Sequence, residues 1–377
     1  ASGASGAAAG LVNPFMGRRA RPVWRLREAL DAVPTLLEQA GASALFPDTG
    51  VLRPAVEPDQ VEPFRKAAEE YPDLASWLSP DAVQERYPAV RPDRGALFIP
   101  RGGAVDVGAM VRALLDAAET RGATVETQAP VLHWRETPDT AVVEVDRRDD
   151  TEELRADRVL LALGQGFPPF PELRRLGLDG VKGQTVRVRR PETLTDSPPP
   201  MSGRGYAVPD DDTLVLGSNY DNNYDDLTPD PDATAYILEK TSKMLPALDE
   251  GEVLDETAGV RVMHSETNLP LLGPLPRRER LWTFTALGSK GLLTAPHLAL
   301  SLPTNTYMGK RLRMQNGEVV DTGDRVGEDL LIAPVVMLDC RECAGYTDFD
   351  HHSATVVECI VCGTEQSNER LRDLSRI

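Results

Sequence analysis

The chain has 377 residues, 41% of them hydrophobic, and a formal net charge of -18 at pH 7. This length accommodates about two or three domains with a sizeable core, and the negative charge argues against broad nonspecific attraction to nucleic acid or anionic membranes. The sequence contains no apolar run of about 18 residues and no basic, apolar leader, which favours a soluble, cytoplasmic protein with no membrane partner.

The first half of the chain alternates between helical and extended patterns. Small residues fill positions 1–14, which by composition alone is typical of a flexible linker. Apolar residues at helical spacing predict a helix over residues 18–40. Residues 43–100 combine many prolines with short helical segments, and a strand is predicted at their end, over residues 95–103.

A second helix is predicted over residues 104–118, with Asp106 near its N-cap. The apolar pattern of residues 121–125 predicts a return to the sheet. A strand, a helix and a second strand in this order predict a βαβ crossover, so we expect the sheet to be at least partly parallel.

The second half is predicted to be richer in strands. Residues 131–134 and 141–145 are typical of an antiparallel pair, and residues 155–166 of a buried strand that ends in glycines. Period-two alternation predicts strands of an antiparallel sheet, and a helix follows an acidic, solvated loop. These strands cover residues 181–188, 205–209 and 213–217, and the helix covers residues 231–248.

The pattern changes twice within residues 281–300. A strand is predicted over residues 281–287, a glycine-rich turn over residues 288–291, and a helix from Leu292 onward. A glycine turn before a helix N-terminus suits an electron-rich ligand. An ordinary βα connection is the alternative, because such a turn alone is a weak signal.

Three short motifs indicate a family. The sequences AGVR (258–261), LPLLG (269–273) and ALGSKGL (286–292) together resemble the C-terminal flavin-binding segment of the FAD-dependent D-amino acid oxidase superfamily. The resemblance extends over about residues 1–302. Its glycine loop is closer to the oxidase half of the bifunctional tRNA 5-methylaminomethyl-2-thiouridine biosynthesis enzymes than to the glycine oxidases.

The resemblance implies FAD as the cofactor. The segment ASGAAAGLVNP (4–14) resembles the one that passes beside the flavin, and the counterpart of ADRVLLALG (156–164) passes under the dinucleotide. The residue that matches Val131 contacts the adenine end, although a core valine explains this position equally well. The implied cofactor-binding residues are Ser2, Gly3, Gly10, Val131, Gly164, Gly288, Ser289, Lys290, Gly291 and Leu292.

The resemblance also implies the domain organisation. We expect an α/β and α+β chain in which a Rossmann-like FAD-binding domain (1–45, 101–180 and 255–302) carries an antiparallel-sheet substrate domain (46–100 and 181–254). Family members hold the FAD pyrophosphate on a βαβ unit with a G-x-G-x-x-G motif. The sequence contains no such motif, so we expect it to be truncated by a unit of roughly 30 residues.

Two residues are predicted to hold the substrate. Flavin oxidation of an amine leaves the protein to position the substrate, and a carboxylate on that substrate needs the fixed fork of an arginine. Arg261 falls where the relatives place this arginine, and Tyr206 matches a substrate-side tyrosine. Without the resemblance, an exposed arginine in an ion pair and a half-buried sheet tyrosine are the alternatives. His264 and His297 are interpreted as structural.

The tail has a different character. All four cysteines lie in two C-x-x-C pairs, formed by Cys340, Cys343, Cys359 and Cys362. This pattern predicts a structural zinc site in a ribbon over residues 303–377. Disulfides are the alternative, which the reducing cytosol disfavours.

Two functions from different classes remain. The first is an FAD-dependent oxidoreductase that oxidises a C–N bond of an amino acid or secondary amine by hydride transfer to flavin. A modified tRNA wobble uridine is a candidate substrate and tRNA a candidate partner. The alternative is a catalytically inert oxidase fragment that acts as a zinc-ribbon binding protein. The sequence leaves the oligomeric state open.

Overall fold

The computed structural model describes residues 3–91, 93–147, 150–194 and 198–301, and beyond them only the backbone of short strands. Ser2 lies outside the described residues. The side chains of the predicted zinc ligands Cys340, Cys343, Cys359 and Cys362 lie outside them as well, so the zinc ribbon stays a prediction.

The helices and strands of the described part alternate along the chain. The helices are α1 (Leu26–Gln39), α2 (Val61–Glu70), α3 (Pro80–Arg86), α4 (Val107–Thr120), α5 (Pro171–Arg174), α6 (Pro231–Ser242) and α7 (Gly291–Ser301). The strands up to α4 are β1 (Leu11–Val12), β2 (Phe15–Met16), β3 (Arg21–Pro22), β4 (Val51–Pro54), β5 (Ser76–Leu78), β6 (Ala96–Ile99) and β7 (Gly103–Ala104).

The strands after α4 are longer. They are β8 (Val131–Glu136), β9 (Ala141–Asp146), β10 (Thr151–Ala156), β11 (Val159–Leu161), β12 (Leu178–Arg189), β13 (Met201–Gly203), β14 (Gly205–Asp210), β15 (Thr213–Gly217), β16 (Val253–His264), β17 (Leu271–Pro274) and β18 (Leu281–Thr285). In the tail, the backbone forms β19 (Lys310–Gln315), β20 (Glu318–Arg325), β21 (Leu338–Cys340), β22 (Gly345–Thr347), β23 (Phe349–His351), β24 (Val356–Cys359) and β25 (Glu365–Ser367).

The largest sheet has eight strands in the order β16-β12-β15-β14-β13-β4-β6-β5. Its pairs are antiparallel except β13 with β4. Inward-facing side chains of alternating residues, such as Val186, Leu214 and Leu216, are buried together with Ile237 of α6. The period-two pattern therefore buries one face of this sheet against α6, and the predictions of β12, β14 and β15 as antiparallel strands are confirmed.

Two smaller sheets complete the second half. One has the order β10-β9-β8, and the other has the order β11-β18-β17 with β11 parallel to β18. The predicted antiparallel pairing of β8 with β9 is confirmed. Residues 155–166 do not form one buried strand, because β10 ends at Ala156 and β11 covers only Val159–Leu161.

The first predicted helix is shorter than expected. Helix α1 begins at Leu26, because Arg25 has a left-handed φ of 54° and residues 21–22 form β3. Leu26, Leu30, Val33 and Leu37 are buried, as the helical spacing requires. Trp24 lies outside the helix.

Helix α4 is confirmed, and Asp106 caps it by accepting a hydrogen bond from the N–H of Ala109 at 2.9 Å. The expected strand over residues 121–125 is wrong, since these residues form a turn and an irregular segment. The predicted βαβ crossover is therefore absent at this place. None of the described helices is long and apolar enough to cross a membrane.

Candidate functional site

Strand β16 lies at the centre of the candidate site. Three short 3-10 turns contact it, and they comprise Ala4–Gly6, Gly164–Gly166 and Gly288–Lys290. The fold thus brings the segments of Gly3, Gly164 and Gly288, which the sequence analysis assigned to the cofactor, to the strand that carries Arg261. These segments are far apart in the sequence, so only the fold gathers them.

Small residues allow this close approach. A methyl group at Gly259 of β16 would lie 3.0 Å from Cβ of Ala7 and 3.2 Å from Cα of Ala4. Gly288 has a φ of +54°, and a methyl group there would lie 3.3 Å from Cγ of Met263. These glycines allow the turns to approach β16 closely, and backbone that lies so near a site suits a flat ring system held through backbone amides.

Arg261 projects from β16 with part of its fork already held. Its Nη2 donates to the carbonyl of Asn219 at 2.7 Å, and its Nη1 donates to Oγ of Ser218 at 3.4 Å. The guanidinium carbon lies 4.1 Å from the ring centroid of Tyr220. The Nε–H and one N–H on each Nη have no hydrogen-bond partner among the described residues, so this arginine retains the capacity to bind a carboxylate.

Two glycines give this arrangement its space. A methyl group at Gly183 would lie 2.0 Å from Nη2 of Arg261, and one at Gly217 would lie 2.2 Å from the hydroxyl of Tyr206. The sequence analysis missed both residues. A glycine inside an alternating strand does indicate a close approach, and this signal was present in β12.

Tyr206 is a protonated phenol at neutral pH. Burial raises the pKa of Tyr206 to about 12, and the nearby charge of Arg261 lowers it by a smaller amount. The hydroxyl lies against Gly217, since a methyl group there would be 2.2 Å from it, and the neighbouring Ser218 also lowers the pKa of the phenol. Because Ser218 accepts from Arg261, the two residues predicted to hold the substrate both border the Gly217–Ser218 segment.

The loop that follows β15 is fixed by a buried glutamine, Gln184. Its backbone N–H donates to Oδ1 of Asn219 at 2.7 Å, and its Oε1 accepts from the N–H of Asp230 at 2.7 Å. Lys240 of α6 donates to the carbonyl of Ser218 at 3.0 Å. These bonds hold Ser218 and Asn219 in place, and both residues escaped the sequence analysis because loop residues carry no periodicity.

The remaining predicted cofactor residues occupy three places. Ser289, Lys290, Gly291 and Leu292 lead into α7, where burial lowers the pKa of Lys290. The N-terminus of this helix carries a partial positive charge. Pro296 lies inside α7.

Gly10 and Val131 lie outside the three turns. Gly10 adjoins β7. A methyl group on Gly10 would lie 1.8 Å from the carbonyl oxygen of Val105. Val131, on β8, borders a surface groove of about 380 Å³ together with Val143 and Val159. This groove is mainly apolar at these positions. It would be suitable for one end of an extended ligand.

The histidines have structural surroundings. Nδ1 of His264 accepts from the N–H groups of Glu266 and Thr267 at 3.2 Å each, and burial lowers the pKa of His264. The ring of His297 meets that of Trp24 edge to face at 5.4 Å. Among the described residues, no cluster of three or more histidine, cysteine or acidic residues has the geometry of a metal site.

The sequence matches known proteins over most of its length. The sequence model of the DAO family, described as FAD dependent oxidoreductase, matches residues 1–302. The tRNA 5-methylaminomethyl-2-thiouridine biosynthesis bifunctional protein MnmC of Idiomarina loihiensis is 28% identical over 308 residues, which cover 79% of this chain and 49% of the relative. The chain thus spans about half the length of this relative. Glycine oxidase of Pseudomonas putida is 33% identical over 148 residues, or 38% of this chain and 40% of the relative.

Solved structures show the same fold. Glycine oxidase from Geobacillus kaustophilus superposes with a TM-score of 0.68 at 22% identity, covering 80% of this chain and 84% of that one. Iminodiacetate oxidase from Chelativorans sp. BNC1 gives a TM-score of 0.67 at 21% identity, covering 81% of this chain and 88% of that one. The mixed α/β fold predicted from the sequence is confirmed by these similarities.

Proposed function

This chain belongs to the DAO family of FAD-dependent oxidoreductases, and we propose that it oxidises the C–N bond of a carboxylate-bearing amino acid or secondary amine. The observation that carries this proposal is the half-occupied fork of Arg261 beside Tyr206, on the strand that three glycine-rich turns contact. When bound, FAD supplies the acceptor for the hydride that leaves the carbon beside the amine nitrogen.

The residues of the site divide the remaining work. Arg261 binds the substrate carboxylate through its N–H groups that have no partner among the described residues. The phenol of Tyr206 is protonated at neutral pH, and burial raises its pKa further, to about 12, so its hydroxyl can donate to the same carboxylate. Ser218 and Asn219 hold the guanidinium and thereby orient the substrate.

The cofactor would be held by the segments that the fold gathers at β16. Gly3, Gly164 and the loop from Gly288 to Leu292 belong to them, and the close approach that the glycines allow fits a flat ring. Ser2, Gly10 and Val131 complete the proposed set. We assign residues 1–45, 101–180 and 255–302 to the FAD-binding domain, and residues 46–100 and 181–254 to the substrate domain.

The substrate class rests on the relatives. Glycine and iminodiacetate, named for two proteins of the same fold, are amines that carry a carboxymethyl group. A modified tRNA wobble uridine is the finer proposal, supported by the relationship to the tRNA biosynthesis protein. Both place a carboxylate close to the oxidised C–N bond. The relationship to the tRNA biosynthesis protein also leads us to propose cytoplasmic localisation.

The tail carries a separate proposal. Cys340, Cys343, Cys359 and Cys362 would bind one structural zinc ion, since paired C-x-x-C motifs supply the four thiolates of a tetrahedral site. Metal analysis of the purified chain should then give about one zinc per chain, and a Cys340→Ser/Cys359→Ser variant should lose it.

Flavin content and oxidation test the main proposal together. The chain is purified as it stands and as a fusion with an N-terminal G-x-G-x-x-G βαβ unit, and both are assayed for bound FAD and for oxidation of glycine, N-methylglycine and iminodiacetate. We expect flavin absorbance and peroxide release from at least one of them. If both bind FAD and oxidise no carboxylate-bearing amine, the proposal is wrong. If neither binds FAD, the proposed oxidase function is wrong and the alternative of a catalytically inert chain is favoured.

A further inference from the structure

Tyr220 is an exposed aromatic residue beside the guanidinium of Arg261. It is 59% exposed, and the guanidinium carbon lies 4.1 Å from its ring centroid. Tyr220 thus contacts the cation and still leaves most of its surface open to solvent. Tyr220 also lies close enough to Tyr206 to contribute to the raised pKa of that phenol.

The backbone on both sides of Tyr220 is fixed. Before it, Oδ1 of Asn219 accepts the N–H of Gln184 at 2.7 Å. After it, Asp221 and Lys182 exchange two backbone hydrogen bonds of 2.9 Å each. An exposed ring on a fixed backbone loses little conformational entropy on binding, and it offers a planar apolar surface to a ligand.

Resting on the proposed amine-oxidising function, we propose that Tyr220 is a specificity-determining residue that selects glycines carrying a planar group on the amine nitrogen. A carboxylate bound by Arg261 brings the amine of the same molecule beside the ring of Tyr220. A planar N-substituent then covers the exposed surface of this ring, whereas the small substituent of N-methylglycine covers little of it. The substrate class is therefore N-(arylmethyl)glycines.

The loop that follows Tyr220 is acidic. It contains Asp221, Asp225 and Asp226, and Oδ1 of Asp221 and of Asp226 accept the N–H groups of Asn223 and Thr228 at 2.8 Å each. This excess of carboxylates favours the approach of a protonated amine.

Binding of unreactive ethers tests the inference without turnover. Benzyloxyacetate and methoxyacetate resemble N-benzylglycine and N-methylglycine but have an ether oxygen in place of the amine. Their Kd values are measured by calorimetry with the full chain and with Tyr220→Phe, Tyr220→Leu and Tyr220→Ala. Tyr236→Ala is the matched control, because Tyr236 is 49% exposed and lies 5.0 Å from the ammonium of Lys240.

We expect Tyr220→Leu and Tyr220→Ala to raise the Kd of benzyloxyacetate about twofold to twelvefold, the range of an aromatic–aromatic contact. Methoxyacetate has no aromatic group, so its Kd should change by less than about twofold. Tyr220→Phe, which keeps the ring, and the Tyr236 control should bind both ethers as the unaltered chain does.

Three outcomes overturn the inference. The first is that benzyloxyacetate has the same Kd without the ring of Tyr220. The second is that the Kd values of both ethers rise equally, which would show that the ring only supports Arg261. The third is that Tyr220→Ala weakens binding of an anticodon stem-loop RNA but of neither ether. Failure of the proposed function looks different, because benzyloxyacetate then binds in a Tyr220-dependent manner while N-benzylglycine is not oxidised by the flavin-loaded chain.

Discussion

The guanidinium of Arg261 occupies the space that a side chain at Gly183 would fill, since a methyl group there would lie 2.0 Å from Nη2. The two residues lie on neighbouring strands, β16 and β12. We therefore expect Gly183→Ala to displace the guanidinium and to raise the KM for glycine or N-methylglycine at least about tenfold, the effect of losing roughly one charged hydrogen bond.

A control is available in α4, outside the candidate site. A methyl group at Gly108 would meet only side-chain atoms of Asp106 at 3.3 Å and of Arg112 at 3.4 Å, so Gly108→Ala should leave KM unchanged. Circular dichroism of both variants checks that they are folded. If Gly183→Ala keeps the KM of the unaltered chain, the position assigned to Arg261 is wrong.

Replacement of Arg261 by lysine tests the fork. Lysine keeps the positive charge but presents a single ammonium, and it cannot donate to Asn219 and to a carboxylate with the same planar geometry. We expect Arg261→Lys to weaken methoxyacetate binding by about 1.5–3 kcal/mol, and Arg261→Gln to weaken it further. Calorimetry on the two variants measures this. Equal affinity of the lysine variant and the unaltered chain would show that charge alone suffices.

The periodicity of the sequence was sufficient to predict the sheet around the site. Alternating apolar residues predicted β12, β14 and β15, because one face of that sheet is buried against α6. The pattern failed where tertiary contacts decide the backbone. Arg25 adopts a left-handed conformation that begins α1 later than the helical spacing predicted, and no local signal in residues 21–25 indicates this.

The candidate site shows the same division. Arg261 and Tyr206 were predicted from motifs, and both border the Gly217–Ser218 segment in the fold. Ser218, Asn219 and Tyr220 were not predicted. They belong to a loop whose position depends on hydrogen bonds to Gln184. The bond from the backbone N–H of Gln184 to Oδ1 of Asn219 joins residues that are 35 positions apart in the sequence. Single-sequence periodicity contains no information about such a contact.

Gly10 has a steric requirement that is separate from any cofactor. Its φ is +73°, and a methyl group there would lie 1.8 Å from the carbonyl oxygen of Val105. Gly17 has a similar φ of +62° but meets no atom within 4 Å, so it is the matched control. We expect Gly17→Ala to cost about 1–2 kcal/mol of unfolding free energy and Gly10→Ala at least about 2 kcal/mol more. Urea unfolding measures both, and equal losses would contradict the predicted clash.

The half-buried His264 should make stability depend on pH. Burial lowers the pKa of His264 from its ordinary value of 6.5, and its Nδ1 accepts two backbone N–H groups, so the folded chain favours the neutral ring. The unfolded chain therefore binds the proton first as the pH falls. The contribution of His264 to the unfolding free energy is fully present above about pH 6.5, and it is lost as the pH falls through the folded-state pKa of this residue.

Urea unfolding between about pH 5 and 7.5, which brackets the ordinary histidine pKa, measures this dependence. His264→Gln should flatten the part of the curve that His264 contributes. His133 is exposed on β8, so His133→Gln is the control. If the unfolding free energy depends equally steeply on pH in the unaltered chain and in His264→Gln, His264 is not the source of the pH dependence.

Arg53 holds two parts of the chain together from a buried position. It is 2% exposed, and its guanidinium donates to the carbonyls of Phe15, of Gly17 at 2.6 Å and of Ser202 at 3.2 Å. The guanidinium also lies 4.8 Å from the ring of Phe64. Burial lowers the pKa of Arg53 to about 10, so the side chain still carries its charge at neutral pH.

Removal of this side chain leaves three carbonyl acceptors without their donor. A fully buried acceptor that loses its partner costs about 1–3 kcal/mol. Only the bond to Phe15 is fully buried, and water can partly replace the other two, so Arg53→Met should lower the unfolding free energy by about 3–5 kcal/mol. Arg18→Met is the control, because Arg18 and Asp59 form an ion pair in which both side chains are 59% exposed, and such a pair contributes at most about 1 kcal/mol. Urea unfolding compares the two variants. Similar losses for both would mean that the carbonyls of Phe15, Gly17 and Ser202 find other donors once Arg53 is gone.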